Sequence, residues 1–218
     1  MAAAAGAARP FVLVLAGVNG AGKSSVGGAL LAEHGLAWYN PDSYARELVG
    51  QLGLEVEDAN GRAWEHGRAQ FAAAIDGRRN HAFETTLGAS TIPGLLAQAA
   101  RSHDVVMIFC GLATAEMHLR RVQARVAAGG HDIPAGKIRE RWTRSRMNLI
   151  RLMPLLARLQ VFDNSAEAAP GEAIPDPVLL LEMSGGRLLF PAADEAAALA
   201  ATPDWARPIL QAAIEQQG

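Results

Sequence analysis

An α/β fold with a mostly parallel sheet is predicted by three features of the sequence. Short apolar runs recur through the first 165 residues, stretches of helical length and pattern separate them, and the first run leads through a glycine-rich loop into one of those stretches.

The elements follow in order. Phe11-Val12-Leu13-Val14-Leu15-Ala16 is apolar throughout and stops at a glycine, the pattern of a strand buried on both faces. A helix is expected from Lys23 to about His34, and Leu36 to Tyr39 reads as a second short strand. Asn40 is placed to cap a helix that opens at Pro41. Residues 58–77 read as helical, with Trp64, Phe71 and Ile75 as apolar positions. His81 to Thr85 is a third strand, and Ser90 to Ser102 a helix with Pro93 in its first turn. Val105 to Cys110 is the fourth strand. Thr114 to Ala128 is a helix stopped by Gly129-Gly130, and Ala135 to about Met153 is the next. Leu159 to Asp163 is the fifth strand, with Asn164-Ser165 turning out of it. Strands alternating with helices imply a five-stranded sheet covered on both faces, with ligands at the carboxyl ends of the strands.

The expected organisation is a disordered tail at 1–10, a core at 11–165 that includes a basic helical lid at about 114–153, and an appendage at 166–218. Ala168 to Pro177 reads as a Pro/Ala linker. Val178 to Met183 and Arg187 to Phe190 read as a β-hairpin across Ser184-Gly185-Gly186, and Trp205 to Ile214 as weakly helical.

Composition excludes several classes. The 218 residues are half hydrophobic, enough for one large α/β domain with a small addition. Twenty basic side chains against 22 acidic ones point to neither a nucleic-acid partner nor a membrane surface. The single cysteine, Cys110, allows no internal disulfide and no cysteine zinc site, and it reads as a buried small hydrophobe. The Ala-rich stretch Met1 to Ala8 has no basic start and reads as a frayed tail, not a signal peptide. Phe11 to Ala16 is too short to span a bilayer, which takes about 20 residues. A cytoplasmic protein is expected.

The chemistry centres on Gly17-Val18-Asn19-Gly20-Ala21-Gly22-Lys23-Ser24, which fits G-x-x-x-x-G-K-[ST] in full. Glycines let the backbone turn tightly and aim N–H groups at phosphate oxygens. The following helix adds the positive end of its dipole. Lys23 is placed to reach the β- and γ-phosphates, and Ser24 offers a hydroxyl to Mg²⁺. With Asn19, Ala21 and Ser25 this stretch is the candidate nucleotide site.

Other polar residues stand at strand ends. Asp42, just past the second strand, is placed to accept the proton of an attacking hydroxyl, or simply to suit the first turn of a helix. Glu84 ends the third strand, where an acidic residue suggests substrate binding or help with the metal's water shell. No acid follows Val105 to Phe109, so a carboxylate helper for Mg²⁺ falls to Asp42 or Glu84, and a motor or transport ATPase is disfavoured. Residues 120–151 hold nine of the twenty basic side chains, opposed there by Asp132 and Glu140 alone. Ile138, Trp142, Leu149 and Leu152 share one helical stripe, and Lys137, Arg141, Arg144 and Arg151 share the next. Two helices joined by Gly129-Gly130-His131-Asp132-Ile133-Pro134 make a lid whose arginines can close over phosphates. The other reading is a solvated basic face that touches RNA. At 6% aromatic residues a base-stacking surface is not expected.

Taken together, Ala16 to Ser25, Asn40-Pro41-Asp42, Phe83-Glu84-Thr85-Thr86-Leu87, the Gly129 to Pro134 turn through Arg141-Trp142-Thr143-Arg144-Ser145, and Val161-Phe162-Asp163-Asn164-Ser165 resemble the zeta toxin-like P-loop kinases. The likeness covers about Phe11 to Ser165, and the loop alone is shared by many NTPases. It implies ATP and Mg²⁺ as cofactors and a small-molecule hydroxyl as acceptor, in the toxins one of UDP-N-acetylglucosamine. It also implies an antitoxin protein as partner. By that pattern Asp42 is the base, Lys23 holds the transferring phosphate, and Glu84, with Thr85 and His131 nearby, orients the acceptor. Arg121 or Arg125 with Arg141 and Arg144 clamps the phosphates. Thr85-Thr86 stands after Glu84 where the toxins carry Gly-Thr, and the Asp42 loop is Asn-Pro-Asp. A nucleotide-driven switch acting on a protein partner is the competing reading.

Overall fold

The computed structural model describes residues 9–33, 37–168, 172–173, 175–192 and 195–217. Expectations for Met1 to Ala8, for His34 and Leu36, and for much of the 168–177 linker lie outside those residues. Among the described residues six strands form one sheet: β1 (Phe11–Ala16), β2 (His81–Thr85), β3 (Asp104–Gly111), β4 (Arg158–Asp163), β5 (Val178–Ser184) and β6 (Arg187–Phe190), in the order β2-β1-β3-β4-β5-β6. β1 pairs in parallel with β2 and β3, and β3 with β4. The pairs β4–β5 and β5–β6 are antiparallel. The helices are α1 (Lys23–Glu33), α2 (Pro41–Leu52), α3 (Val56–Asp76), α4 (Thr91–Ala99), α5 (Ala115–Ala127), α6 (Ala135–Leu152), α7 (Ala196–Ala201) and α8 (Arg207–Glu215).

The uninterrupted apolar run of β1 is explained by its place inside the sheet. Val12 and Val14 face one core with Phe71 of α3, Leu96 of α4, Leu149 of α6 and Ile209 of α8. Leu13 and Leu15 face the other with Leu31 of α1 and Ile108. Period-two alternation with both faces covered leaves no polar position along the strand.

Two expectations change. Among the described residues of the expected second strand, 37–39, only Tyr39 bridges β2, its N–H donating to the Ala82 carbonyl at 2.8 Å and its carbonyl accepting from Glu84 at 2.9 Å. Asn40 is already committed to capping α2, its side chain accepting from the Ser43 N–H, and Pro41 at the helix start has no N–H to extend a ladder. The hairpin at 178–190 does not stand apart either. It continues the main sheet beyond β4, which makes six strands where five were expected. Trp205 is buried behind β3, its Nε1–H donating to Asp163 Oδ1 at 3.3 Å, and its ring leaves no room for a side chain at Gly111. Cys110 is buried as expected, and burial pushes its thiol up to about 12. No described helix is long and apolar enough to cross a membrane.

Candidate active site

The loop between β1 and α1 is shaped by close approach. Gly17, Gly20 and Gly22 all have φ between 82° and 142°, where a side chain is strained. A Cβ at Gly17 would meet the Cys110 carbonyl, and one at Gly22 would meet the Asn164 side chain. Asn164 also donates from Nδ2 to the Ala21 carbonyl at 2.9 Å, so the turn after β4 braces the loop from outside. From α5, the buried His118 bonds the Asn19 carbonyl through Nδ1 at 2.8 Å. Burial, helped by the nearby Lys23 and Arg121 cations, lowers the His118 imidazole to about 4 against a weaker upward pull from that bond.

This loop fits a polyphosphate. Among the described residues no protein acceptor takes the N–H groups of Gly20, Gly22, Lys23 or Ser24, which gather at the start of α1. Lys23 and Ser24 begin the helix. Ser24 is exposed, and its Oγ accepts from Asn40 Nδ2 at 3.5 Å. A hydroxyl with few other protein ligands is the donor set Mg²⁺ uses when most of its shell is phosphate and water. No cluster of three or more His, Cys, Asp or Glu occurs among the described residues, so no all-protein metal cage competes. Ser25 is exposed one residue further along α1.

Beside the loop lies a cleft of about 550 Å³. Asn19 and Lys23 enter it from the loop, Asp42 from α2, and Glu84 and Thr85 from the end of β2. His131 of the 129–134 turn and Arg141 and Arg144 of α6 also line it. Glu84 is buried and accepts from Trp38 Nε1 at 3.1 Å, which fixes the carboxylate's orientation. Arg141 donates from Nη1 to Asn19 Oδ1 at 2.8 Å, so α6 is latched to the phosphate loop. Its burial lowers the guanidinium's pKa, which Asp42 and Glu140 partly oppose. Arg144 pairs with Glu140 at 2.7 Å on its own helix and stays largely exposed.

The other two candidate arginines, Arg121 and Arg125, are engaged elsewhere. Arg121 lies against the loop, its Cβ 3.3 Å from where a Gly20 Cβ would stand. Its guanidinium donates to the carbonyls of Asn164 at 2.8 Å and Ala166 at 3.2 Å. Arg125 faces Asp42 and the 129–134 turn. Neither lines the cleft. Sequence reasoning missed Trp38, His118 and Gly88. Their neighbours lie 46, 99 and 53 residues away along the chain, and no local pattern announces such contacts.

A mixed α/β sheet whose first strand pairs in parallel on both sides and ends in a phosphate loop defines a P-loop nucleotide-binding protein. Within that class, the family model AAA_33, described as an AAA domain, matches residues 12–149, and the chain belongs to that family. A search of curated proteins finds no match. Among solved structures, an AvrRxo1-ORF1:-ORF2 complex with ATP is similar at a TM-score of 0.62, with 16% identity over 88% of this chain and 62% of that chain. The PezAT chromosomal toxin–antitoxin system of Streptococcus pneumoniae is similar at 0.55, with 15% identity over 96% of this chain and 86% of that one. The Pnkp1/Rnl/Hen1 RNA repair complex follows at 0.52, with 20% identity over 69% and 49%. The chain thus spans less than two thirds of the AvrRxo1-ORF1 complex chain it matches. At these identities the likenesses establish the fold.

Proposed function

We propose that this chain is an ATP-dependent kinase of zeta toxin type, which moves the γ-phosphoryl group of ATP to a hydroxyl of a small molecule. One observation carries the reading: Lys23, Asp42 and Glu84 open into the same cleft beside the phosphate loop. ATP is the phosphoryl donor, and Mg²⁺, when bound, would supply positive charge against its phosphates. The backbone N–H groups of Gly20, Gly22, Lys23 and Ser24 hold the phosphate oxygens, and Ser24 Oγ would hold the metal. Asp42 takes the acceptor's hydroxyl proton as the oxygen attacks. Glu84, held by Trp38, and Thr85 orient the acceptor, while His131, Arg141 and Arg144 close the cleft against water and oppose the charge on the transferring group. The ATP in the AvrRxo1 structure and the toxin–antitoxin system to which the PezAT structure belongs support this reading. An antitoxin-like protein over the cleft and a cytoplasmic workplace belong to it. UDP-N-acetylglucosamine is the first acceptor to try.

The test is transfer from γ-labelled ATP with Mg²⁺ to a panel of sugar nucleotides and nucleosides, with Lys23→Ala as the blank. Label on any hydroxyl acceptor supports the kinase, and label on UDP-N-acetylglucosamine supports the full toxin reading. Tight ATP binding with no transfer to a broad panel would count against it. Asp42→Asn is expected to cut transfer by about 100- to 10,000-fold while ATP affinity stays within about twofold. Near-normal turnover in that variant would remove Asp42 as the base.

A further inference from the structure

We infer that Arg125 is a positioning residue that locks the lid turn and Asp42 into one arrangement; its catalytic consequence rests on the kinase reading. Arg125 sits in the last turn of α5. Its carbonyl accepts from Ala128 at 3.1 Å and Gly130 at 2.9 Å, so its backbone shapes the turn that leaves the helix. Its guanidinium then reaches two ways. Nη2 donates to the His131 carbonyl at 3.2 Å, and Nη1 lies 3.7 Å from Asp42 Oδ2. Nε is buried without a protein partner, while the side chain as a whole is 34% exposed. His131 and Pro134 of the same turn line the cleft.

A planar guanidinium can engage two groups on different elements at once, which a lysine ammonium does less well. The carboxylate's orientation is therefore linked to the fold of the 129–134 turn. When the turn lifts, Arg125 moves with its carbonyl partner and Asp42 loses its brace. The brace is complete only with the turn folded over the cleft, which sets the base at the moment water is excluded. This differs from a phosphate clamp, in which Arg125 would answer to ATP and not to Asp42.

Hydrogen exchange on the full chain without ligands tests the link directly. Asp42→Asn should speed exchange of the Gly129 to Ile133 amides by about two- to fivefold, although Asp42 sits on another helix. Arg125→Met should speed exchange in that turn and at residues 42–44, with Arg125→Lys between it and wild type. Turn amides that exchange identically in wild type and Asp42→Asn would overturn the inference. In the transfer assay, once wild type has labelled an acceptor, Arg125→Met should lower kcat about 10- to 100-fold and leave the Kd for ATP within about twofold, with part of the loss recovered in Arg125→Lys. A fall in ATP affinity that matches the fall in kcat would make Arg125 a phosphate clamp and overturn the inference. Wild type that labels nothing would sink the kinase reading alone, because the exchange result stands without it.

Discussion

The two sides of the cleft are made of different material. On the side proposed for the nucleotide, the open donors are the backbone N–H groups of Gly20, Gly22, Lys23 and Ser24, and the side chains behind them, His118 and Asn164, hold the loop's carbonyls. On the side proposed for the acceptor, the groups are side chains from α2, β2, the 129–134 turn and α6, brought together from Asp42 to Arg144 along the chain. A site made of backbone is local and has one dominant point of failure, its cation. A site made of distant side chains fails by degrees, through geometry. The sharpest test is Lys23→Ala, expected to cost about 100- to 1,000-fold in transfer and to weaken ATP binding as well, since the charge meets phosphates in ground and transition states alike. Fluorescent-nucleotide titration beside the transfer assay separates the two. If Lys23→Ala spared ATP affinity as fully as Asp42→Asn should, the division between the sides would collapse.

The same contrast decides what could be read from the sequence. β1, the loop and α1 are contiguous, and an apolar run, a glycine pattern and a lysine suffice to place them. Asp42 and Glu84 are legible because strand ends point to ligands in this fold class, and the structure brings both into the cleft. Partnerships were not legible. Nothing around Arg125 says that it faces Asp42 while Arg141, sixteen residues on, faces Asn19. Leu36 to Tyr39 suggests a short strand, but the Asn40 cap and Pro41 follow at once, and among the described residues of that stretch Tyr39 alone bridges β2. The hairpin was found, yet its place in the sheet depends on pairing with β4, which no local pattern encodes.

A second prediction concerns pH and the nucleotide side. His118 is buried, and that burial lowers its pKa to about 4 from the ordinary imidazole value of 6.5. Below about pH 6.5 the unfolded chain takes up a proton that the folded chain refuses. The stabilising effect of a neutral His118 is therefore full above that pH and is lost as pH falls toward 4. The loss comes to about 2 kcal/mol at pH 5 relative to pH 8. Urea unfolding at the two values should show the drop in wild type and a smaller one in His118→Gln. His81, also lowered mainly by burial, adds in the same direction and is unchanged between the two proteins, so the difference isolates His118. An equal drop in both would mean that the loop's support from α5 does not depend on a neutral imidazole.

The smallest expected effect tests the acceptor side by geometry alone. Gly88, in the loop after β2, lies against the lid helix: a Cβ there would stand 2.6 Å from Arg141 Cγ, 3.1 Å from its Cβ and 3.3 Å from its Cα. Rotating the arginine relieves the first contact and not the last, so either α6 or the loop must shift by a few tenths of an ångström. The loop has little freedom, because Asn148 of α6 donates to the carbonyls of Leu87 at 2.8 Å and Ala89 at 3.1 Å. Gly88→Ala should therefore move Arg141 relative to Asn19 and lower kcat about tenfold. The cost in stability should be about 1 kcal/mol, the low end for crowding a packed contact. ATP affinity should hold, since no backbone donor of the loop is touched. Unchanged kcat in this variant would show the lid helix to be compliant, and the acceptor side would then owe its function to the identity of its groups more than to their spacing.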